Sequence, residues 1–293
     1  MLRTTPLATQ RLNLSLGGII FSLVSNCSPD LTLSYNHEAF VVSGGEPDVL
    51  LQAEYGSVPD LEFEDALFQT NGVWRLFKSG GKLVYYFHAW ELDDTPYKIA
   101  VMEPDFQAGT IYSRATESKK DKCFSPLNYP LDELLIAGRL SRGNGILVHA
   151  CGVECRGRGL LFLGTSGAGK TTLSRLWDGE SGITIFSDDR IIVRDMGDSY
   201  QMYGTPWHGD AEIASPLSVP LESIFFLVHD QKNRLTPVQP VDAASRILVR
   251  SFPTFWDAGG MDYTLGLCER LSSKVPCFEL GFLPDKRVID LLR

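Results

Sequence analysis

Apolar and polar positions alternate through much of the first 112 residues, and that period of two predicts strands. Leu12, Leu14 and Leu16 alternate with Asn13 and Ser15, and Leu31-Thr32-Leu33-Ser34-Tyr35 repeats the pattern. Ala39-Phe40-Val41-Val42 and Asp48-Val49-Leu50-Leu51 are short apolar runs bounded by Ser-Gly-Gly and Glu-Pro. Val73-Trp74-Arg75-Leu76-Phe77-Lys78 alternates, Ser79-Gly80-Gly81 turns, and Lys82-Leu83-Val84-Tyr85-Tyr86-Phe87 returns, which predicts a hairpin. Tyr97 to Met102 and Gly109 to Tyr112 continue the series. Many short strands between turn signals indicate an antiparallel sheet or sandwich, with the aromatics as core or cross-strand pairs.

The pattern changes after residue 112. Arg114 to Ser125 is polar and aperiodic, the expected linker. Pro130 to Leu140 reads as a helix, with Pro130 in its first turn and Asp132 and Glu133 suited to the N-terminal dipole. Gly145 to Val153 and Gly159 to Leu163 read as strands joined by an Arg156 to Gly159 turn, and a helix follows from Thr172. Gly182 to Ser187, Arg190 to Arg194, Leu221 to His229 and Pro276 to Phe282 are further expected strands. Helices are expected at Val241 to Val249, Asp262 to Leu271 and Pro284 to Leu292. The expected class is therefore α+β: a β-rich accessory or substrate-recognition domain over 1–125, then an α/β domain over 126–293.

Composition narrows the partners. The net charge of −9 argues against nucleic acid, which needs basic stripes. Cys27, Cys123, Cys151, Cys155, Cys268 and Cys277 contain no C-x-x-C pair, and no His cluster joins them at zinc spacing. Reduced thiols and a cytoplasmic setting are the expectation. The run from Leu12 to Val24, between Arg11 and Cys27, has the outline of a signal peptide, but its leucines alternate as a strand. No apolar stretch reaches the roughly 20 residues that cross a bilayer, so no membrane partner is expected.

The strongest chemistry is Gly164-Thr165-Ser166-Gly167-Ala168-Gly169-Lys170-Thr171, with Thr172 opening the helix. It is the full G-x-x-x-x-G-K-[ST] pattern between a strand and a helix, the context the P-loop needs. Glycines let backbone N–H groups turn toward a polyphosphate, and the helix dipole favours its charge. Lys170 can reach the β- and γ-phosphates of a nucleoside triphosphate, and the Thr171 hydroxyl can ligate Mg2+. Asp188-Asp189 ends the next strand. Successive side chains on a strand diverge, so one aspartate can face the phosphates while the other holds a loop or metal. Arg190 can contact phosphate or brace Asp188, whereas Arg194 reads as structural. Gly204-Thr205-Pro206-Trp207-His208-Gly209-Asp210 has no period and reads as a structured loop. His208 either contacts a ligand there or caps the loop. Asp257-Ala258-Gly259-Gly260 mimics a GTPase D-x-x-G, but no apolar strand precedes it and no N-K-x-D follows.

Val148 to Val153, Gly159 to Thr172 and Phe186 to Arg190, in that order, resemble the catalytic domain of HPr kinase/phosphorylase, a P-loop in a PEP-carboxykinase-like fold. The closer resemblance is to the HPr-kinase-related proteins found beside peptide-modification genes, which share the Tyr203 to Gly209 loop. That resemblance implies that Asp189 accepts the proton of the substrate hydroxyl, that His149 is the active-site histidine, and that Lys170 and Thr171 serve phosphate and metal. Asp188 completes the implied catalytic set. The family's second, Glu-containing metal site has no clear counterpart, and Asp210 and Glu212 are the nearest carboxylates. The family assembles as homo-oligomers, but the N-terminal half here is unlike its usual one, so HPr is a poor expectation as substrate.

Together these readings point to a kinase that uses ATP and Mg2+ to phosphorylate a hydroxyl, with a protein or peptide serine as the expected acceptor. Two alternatives stay open at this point. One is a small-molecule phosphotransferase on the same scaffold, and the other is a nucleotide-sensing interaction protein without transfer.

Overall fold

The computed structural model describes residues 9–25, 31, 33, 35–70, 74–88, 96–114 and 125–293. Cys27, Cys123, Thr32, Ser34, Val73 and the expected linker from 115 to 124 lie outside them. The chain divides into two compact units, Met1–Ser15 with Ile19–Leu135, and Leu16–Gly18 with Ile136–Arg293. The protein is mixed α/β, with many strands and few helices.

The first unit carries β1 (Gln10–Leu16), β2 (Ile19–Ser25), β3 (Val41–Val42), β4 (Val49–Gly56), β5 (Phe68–Gln69), β6 (Trp74–Ser79), β7 (Lys82–Phe87), β8 (Lys98–Met102) and β9 (Ala108–Arg114). They form one nine-stranded sheet in the order β3-β1-β2-β4-β9-β8-β7-β6-β5. The expected hairpin is present, with Ser79 opposite Lys82. The sheet is not the antiparallel one expected: β2 pairs parallel with β4, and β4 parallel with β9. Long connections allow this, because only antiparallel neighbours can be joined by a tight turn. A 3-10 helix, Tyr35–Phe40, lies between β2 and β4 and takes Ala39 and Phe40 out of their expected strand. Its buried His37 pairs with Asp132 at 3.0 Å. On β8, buried Lys98 donates to the carbonyl of Pro126 and to Asn128 Oδ1, and burial lowers its pKa to about 8.

Helix α1 (Leu131–Leu140) contains the division between the units. The second unit then runs β10 (Gly145–Cys155), β11 (Arg158–Leu163), α2 (Lys170–Trp177), β12 (Ile183–Ser187), β13 (Arg190–Asp195), β14 (Tyr200–Tyr203), β15 (Ser218–His229), β16 (Arg234–Pro237), α3 (Pro240–Leu248), α4 (Ala258–Lys274), β17 (Cys277–Phe282) and α5 (Arg287–Leu292). Two long strands change partners along their length. The first half of β10 pairs with β13 and its second half with β11 and β12. β15 pairs first with β14, then runs parallel to both β11 and β17.

Strand alternation on this sheet feeds two cores. Leu161 and Leu163 join Ile247 of α3 and Leu267 and Leu271 of α4. Leu160 and Phe162 join Leu173 and Trp177 of α2 and Val288 and Ile289 of α5. The unit is thus a sheet covered by helices on both faces, which makes β11 apolar at nearly every position. Cys151, Cys155, Cys268 and Cys277 are free and buried. Among the described residues no helix is long and apolar enough to cross a membrane.

Elements that depart from expectation here include β14, which no expected strand covered, and α5, which starts three residues after its expected start. β16 pairs antiparallel with β17, and Arg234-Leu235-Thr236-Pro237 has too short a pattern to show it; its proline suits an edge strand. α4 starts four residues before its expected start because Gly259 and Gly260 mask the helical period. The Asp257-Ala258-Gly259-Gly260 stretch is its cap: the Asp257 carboxylate accepts from Gly260 N–H at 3.2 Å and pairs with Arg142.

Candidate functional site

The partner change of β10 builds the site. Ala150 lies opposite Leu163, the last residue of β11, and Gly152 lies opposite Ser187, the last residue of β12. One position earlier, His149 lies opposite Arg190, the first residue of β13. The glycine loop after β11, the Asp188-Asp189 turn after β12 and His149 on β10 are therefore brought to one edge.

The loop runs from Gly164 into α2, with Thr165, Ser166 and Gly167 exposed at its tip. Gly167 and Gly169 take φ of 78° and 101°. At Gly169, which caps α2, a Cβ would also stand 2.8 Å from the Phe282 ring of β17. Only glycine satisfies both the backbone and that contact. Gly169→Ala should therefore destabilise the protein by about 1–3 kcal/mol, read as a lower midpoint in thermal unfolding; an unchanged midpoint would show that Phe282 gives way freely. Helix geometry leaves the N–H groups of Lys170, Thr171 and Thr172 without intrahelical partners at this end of α2.

The Lys170 side chain is buried. Its Nζ donates to the carbonyls of Gly164, at 2.8 Å, and Thr165, at 3.2 Å. Burial lowers its pKa, Asp189 and Cys151 work the other way, and Arg250 and Arg190 add to the lowering. Cys151 lies beneath, its thiol pKa raised by burial first and then by Asp188.

The two aspartates do different work. Asp188 is buried, and its two oxygens accept from Gly209 N–H at 2.8 Å and Ala211 N–H at 3.0 Å. The Thr171 hydroxyl lies 3.5 Å from Asp188 Oδ2. Gly209 allows that approach, since a Cβ there would stand 2.7 Å from Asp188 Oδ2. Asp189 faces the other way. Its Oδ1 lies 3.1 Å from His149 Nε2 and 2.7 Å from Arg190 Nη1. Burial raises its pKa, but the His149 hydrogen bond and the Arg190, His149 and Lys170 charges outweigh that, and the net shift is downward. The buried Ser187 hydroxyl holds the turn: it accepts from Asp189 and Arg190 N–H and donates to the Trp207 carbonyl at 2.8 Å.

The loop from Gly204 to Asp210 is structured. Thr205 donates to the Arg190 carbonyl at 2.6 Å, and His208 Nδ1 lies 2.9 Å from the Gly209 carbonyl. Asp210 is exposed between the two residues that Asp188 holds, and Glu212 is exposed at a φ of 54°. Among the described residues no group of three or more His, Cys, Asp or Glu side chains is gathered as a metal site. Thr171 and Asp188 are a pair of oxygen donors of the kind Mg2+ takes alongside phosphate and water. Arg194 donates to the Asn144 carbonyl at 2.6 Å, a fastening of β13.

Arg250 is the residue that sequence patterning missed. It follows α3, and its carbonyl accepts His149 N–H at 2.7 Å. The only sequence signal is a cation placed straight after a helix end.

This unit is a helix-covered mixed sheet with a glycine loop, a buried lysine and two divergent aspartates at one edge. The family described as SynChlorMet cassette protein ScmC matches residues 131–280, and the chain belongs to that family. Among curated proteins none matches the chain. Among solved structures, the Hpr(Ser) kinase/phosphatase from Coxiella burnetii matches at 13% identity over 50% of this chain and 90% of that one, with a TM-score of 0.29, a slight likeness.

Proposed function

We propose that the chain binds ATP with Mg2+ at the glycine loop and transfers the γ-phosphoryl group to a hydroxyl, with a peptide or protein serine as acceptor. The observation that carries this reading is the Lys170–Asp189 pairing of roles. A buried ammonium bonded only to loop carbonyls is poised for an anion, and the carboxylate that acts on it has one oxygen bound and one open. Asp189 Oδ1 is held by His149 and Arg190, while Oδ2 has no partner among the described residues. Oδ2 is the acceptor for the hydroxyl proton as the serine oxygen bonds to phosphorus and the nucleoside diphosphate leaves.

A depressed pKa makes Asp189 a weak base, but a loose phosphoryl-transfer transition state asks mainly for orientation and charge. Thr171 and Asp188 would hold Mg2+, which would neutralise charge on the phosphate oxygens. Lys170 and the N–H groups that open α2 cradle those oxygens. A pure nucleotide sensor has no use for the Asp189 arrangement, which favours transfer.

Calorimetric titration with Mg-ATP tests the binding half. The native protein should bind, and Lys170→Met should lose about 10- to 100-fold in affinity, the worth of a charge-assisted bond of about 1.5–3 kcal/mol. Absence of Mg-ATP binding by the native protein would end the proposal.

A further inference from the structure

After α3 the chain runs Val249-Arg250-Ser251-Phe252-Pro253-Thr254-Phe255. His149 N–H donates to the Arg250 carbonyl at 2.7 Å, Phe252 N–H donates to the Leu147 carbonyl at 3.0 Å, and Val148 and Ser251 form an antiparallel bridge. The segment is thereby pinned to the strand that carries His149. Arg190, which holds Asp189, stacks its guanidinium 4.2 Å over the Phe252 ring. Phe252 thus lies one side chain away from the carboxylate of the proposed transfer.

Packing explains the middle of this segment but not its ends. Pro253 and Thr254 are buried, whereas Val249 is 77% and Phe255 67% exposed. Between them Arg250 is unusual. Its Nη1 donates to the Arg246 carbonyl at 2.9 Å, and its Nε is buried without a partner. Among the described residues no carboxylate pairs with it, and neighbouring Arg246 is already paired with Glu279 at 2.9 Å. Its guanidinium lies 6.0 Å from the Phe226 ring centroid, and burial and the Arg246 charge both lower its pKa. A half-buried charge without a counter-charge is costly, and a ligand carboxylate would relieve it. The site also lies in a chain of net charge −9, so a local cation is the feature that would select an acidic partner.

We propose that Val249–Phe255 is the docking ledge for an extended acceptor peptide that carries a carboxylate between apolar side chains. The carboxylate meets Arg250, and the apolar side chains cover Val249 and Phe255. An extended chain advances about 3.3 Å per residue and sends alternate side chains to one face, so it can span such a ledge where a compact metabolite cannot. The part of the proposal that brings the peptide's hydroxyl to Asp189 rests on the transfer reading above.

An array of short immobilised serine peptides, with acidic and apolar residues varied around the serine, tests this with the full-length protein. Bound protein is read first, and phosphate incorporated from Mg-ATP second. The native protein should bind peptides with Asp or Glu flanked by Leu or Phe about tenfold better than their Gln counterparts. Arg250→Gln should erase the acid preference while Arg250→Lys keeps it, and Val249→Ser with Phe255→Ser should weaken all apolar peptides with Mg-ATP affinity retained. The ledge is overturned by an absence of peptide preference, by a preference that no variant alters, or by loss of Mg-ATP affinity in the Val249→Ser, Phe255→Ser variant. A preference that responds to the variants while no peptide gains phosphate keeps the ledge and removes the transfer reading.

Discussion

Asp189→Asn should lose about 10²- to 10⁴-fold in the rate of phosphoryl transfer while keeping its affinity for Mg-ATP. The asparagine carbonyl can still face Arg190 Nη1, which lies 2.7 Å from Oδ1 in the native protein, so the turn should stay folded. What disappears is the negative oxygen that receives the hydroxyl proton. Lys170, the loop and Asp188 are untouched by the change, so nucleotide binding is the internal control. The pH dependence follows from the direction of the shift. The Asp189 pKa lies below its ordinary 3.8, so the carboxylate is ionised at any working pH above that value. Transfer should show no acid limb from Asp189 there, and the loss should set in only as pH falls through the depressed value. The stabilising contribution of the pairing has the same sign: it is present above 3.8 and is lost as pH falls through the folded pKa. Initial rates across pH, for the native protein and the variant, check both statements.

The second large effect should come from Asp188→Ala. This carboxylate is 2% exposed and accepts from two backbone N–H groups of the loop after Trp207. Hydrogen bonds to a charged acceptor are worth about 1.5–3 kcal/mol each, so removing both should cost about 3–6 kcal/mol. For a folding unit of this size that is on the order of 10 °C in the unfolding midpoint. Because Thr171 and Asp188 are the proposed Mg2+ donors, the Mg2+ dependence of nucleotide affinity should vanish with it. Asp210→Asn and Glu212→Gln, at exposed positions, should each change stability by about 0.5 kcal/mol or less. Mg2+ dependence that survives Asp188→Ala and is lost in Asp210→Asn would move the metal to Asp210.

The glycine loop, the Asp188-Asp189 turn and the helices around them were legible because each is a contiguous stretch with a local physical cause. Glycines were needed where φ turns positive, at Gly167 and Gly169. The divergence of the two aspartates was expected from strand alternation, but both lie in the bend between β12 and β13, and turn and loop contacts set their directions. Their assignment was not legible, because it depends on Gly209 and Ala211 donating to Asp188 across a loop and on His149 standing opposite Arg190. Arg250 was invisible for the same reason: its approach is carried by the bridge between Val148 and Ser251. In the first unit most strands were legible, but Leu31 and Leu33 lie outside any strand, Tyr35 opens the 3-10 helix, β5 gave no signal, and the strand order was not encoded. β4 joins β2 and β9 in parallel across long connections, and no local period encodes such a partner.

The most direct measurement is single-turnover transfer from Mg-ATP labelled at the γ-phosphate to short serine peptides, run with the native protein and with Asp189→Asn. Label on serine is expected with the native protein, and bound nucleotide without transfer in the variant. A native protein that binds Mg-ATP yet labels no hydroxyl, or a variant that transfers as fast as its parent, would contradict the transfer reading.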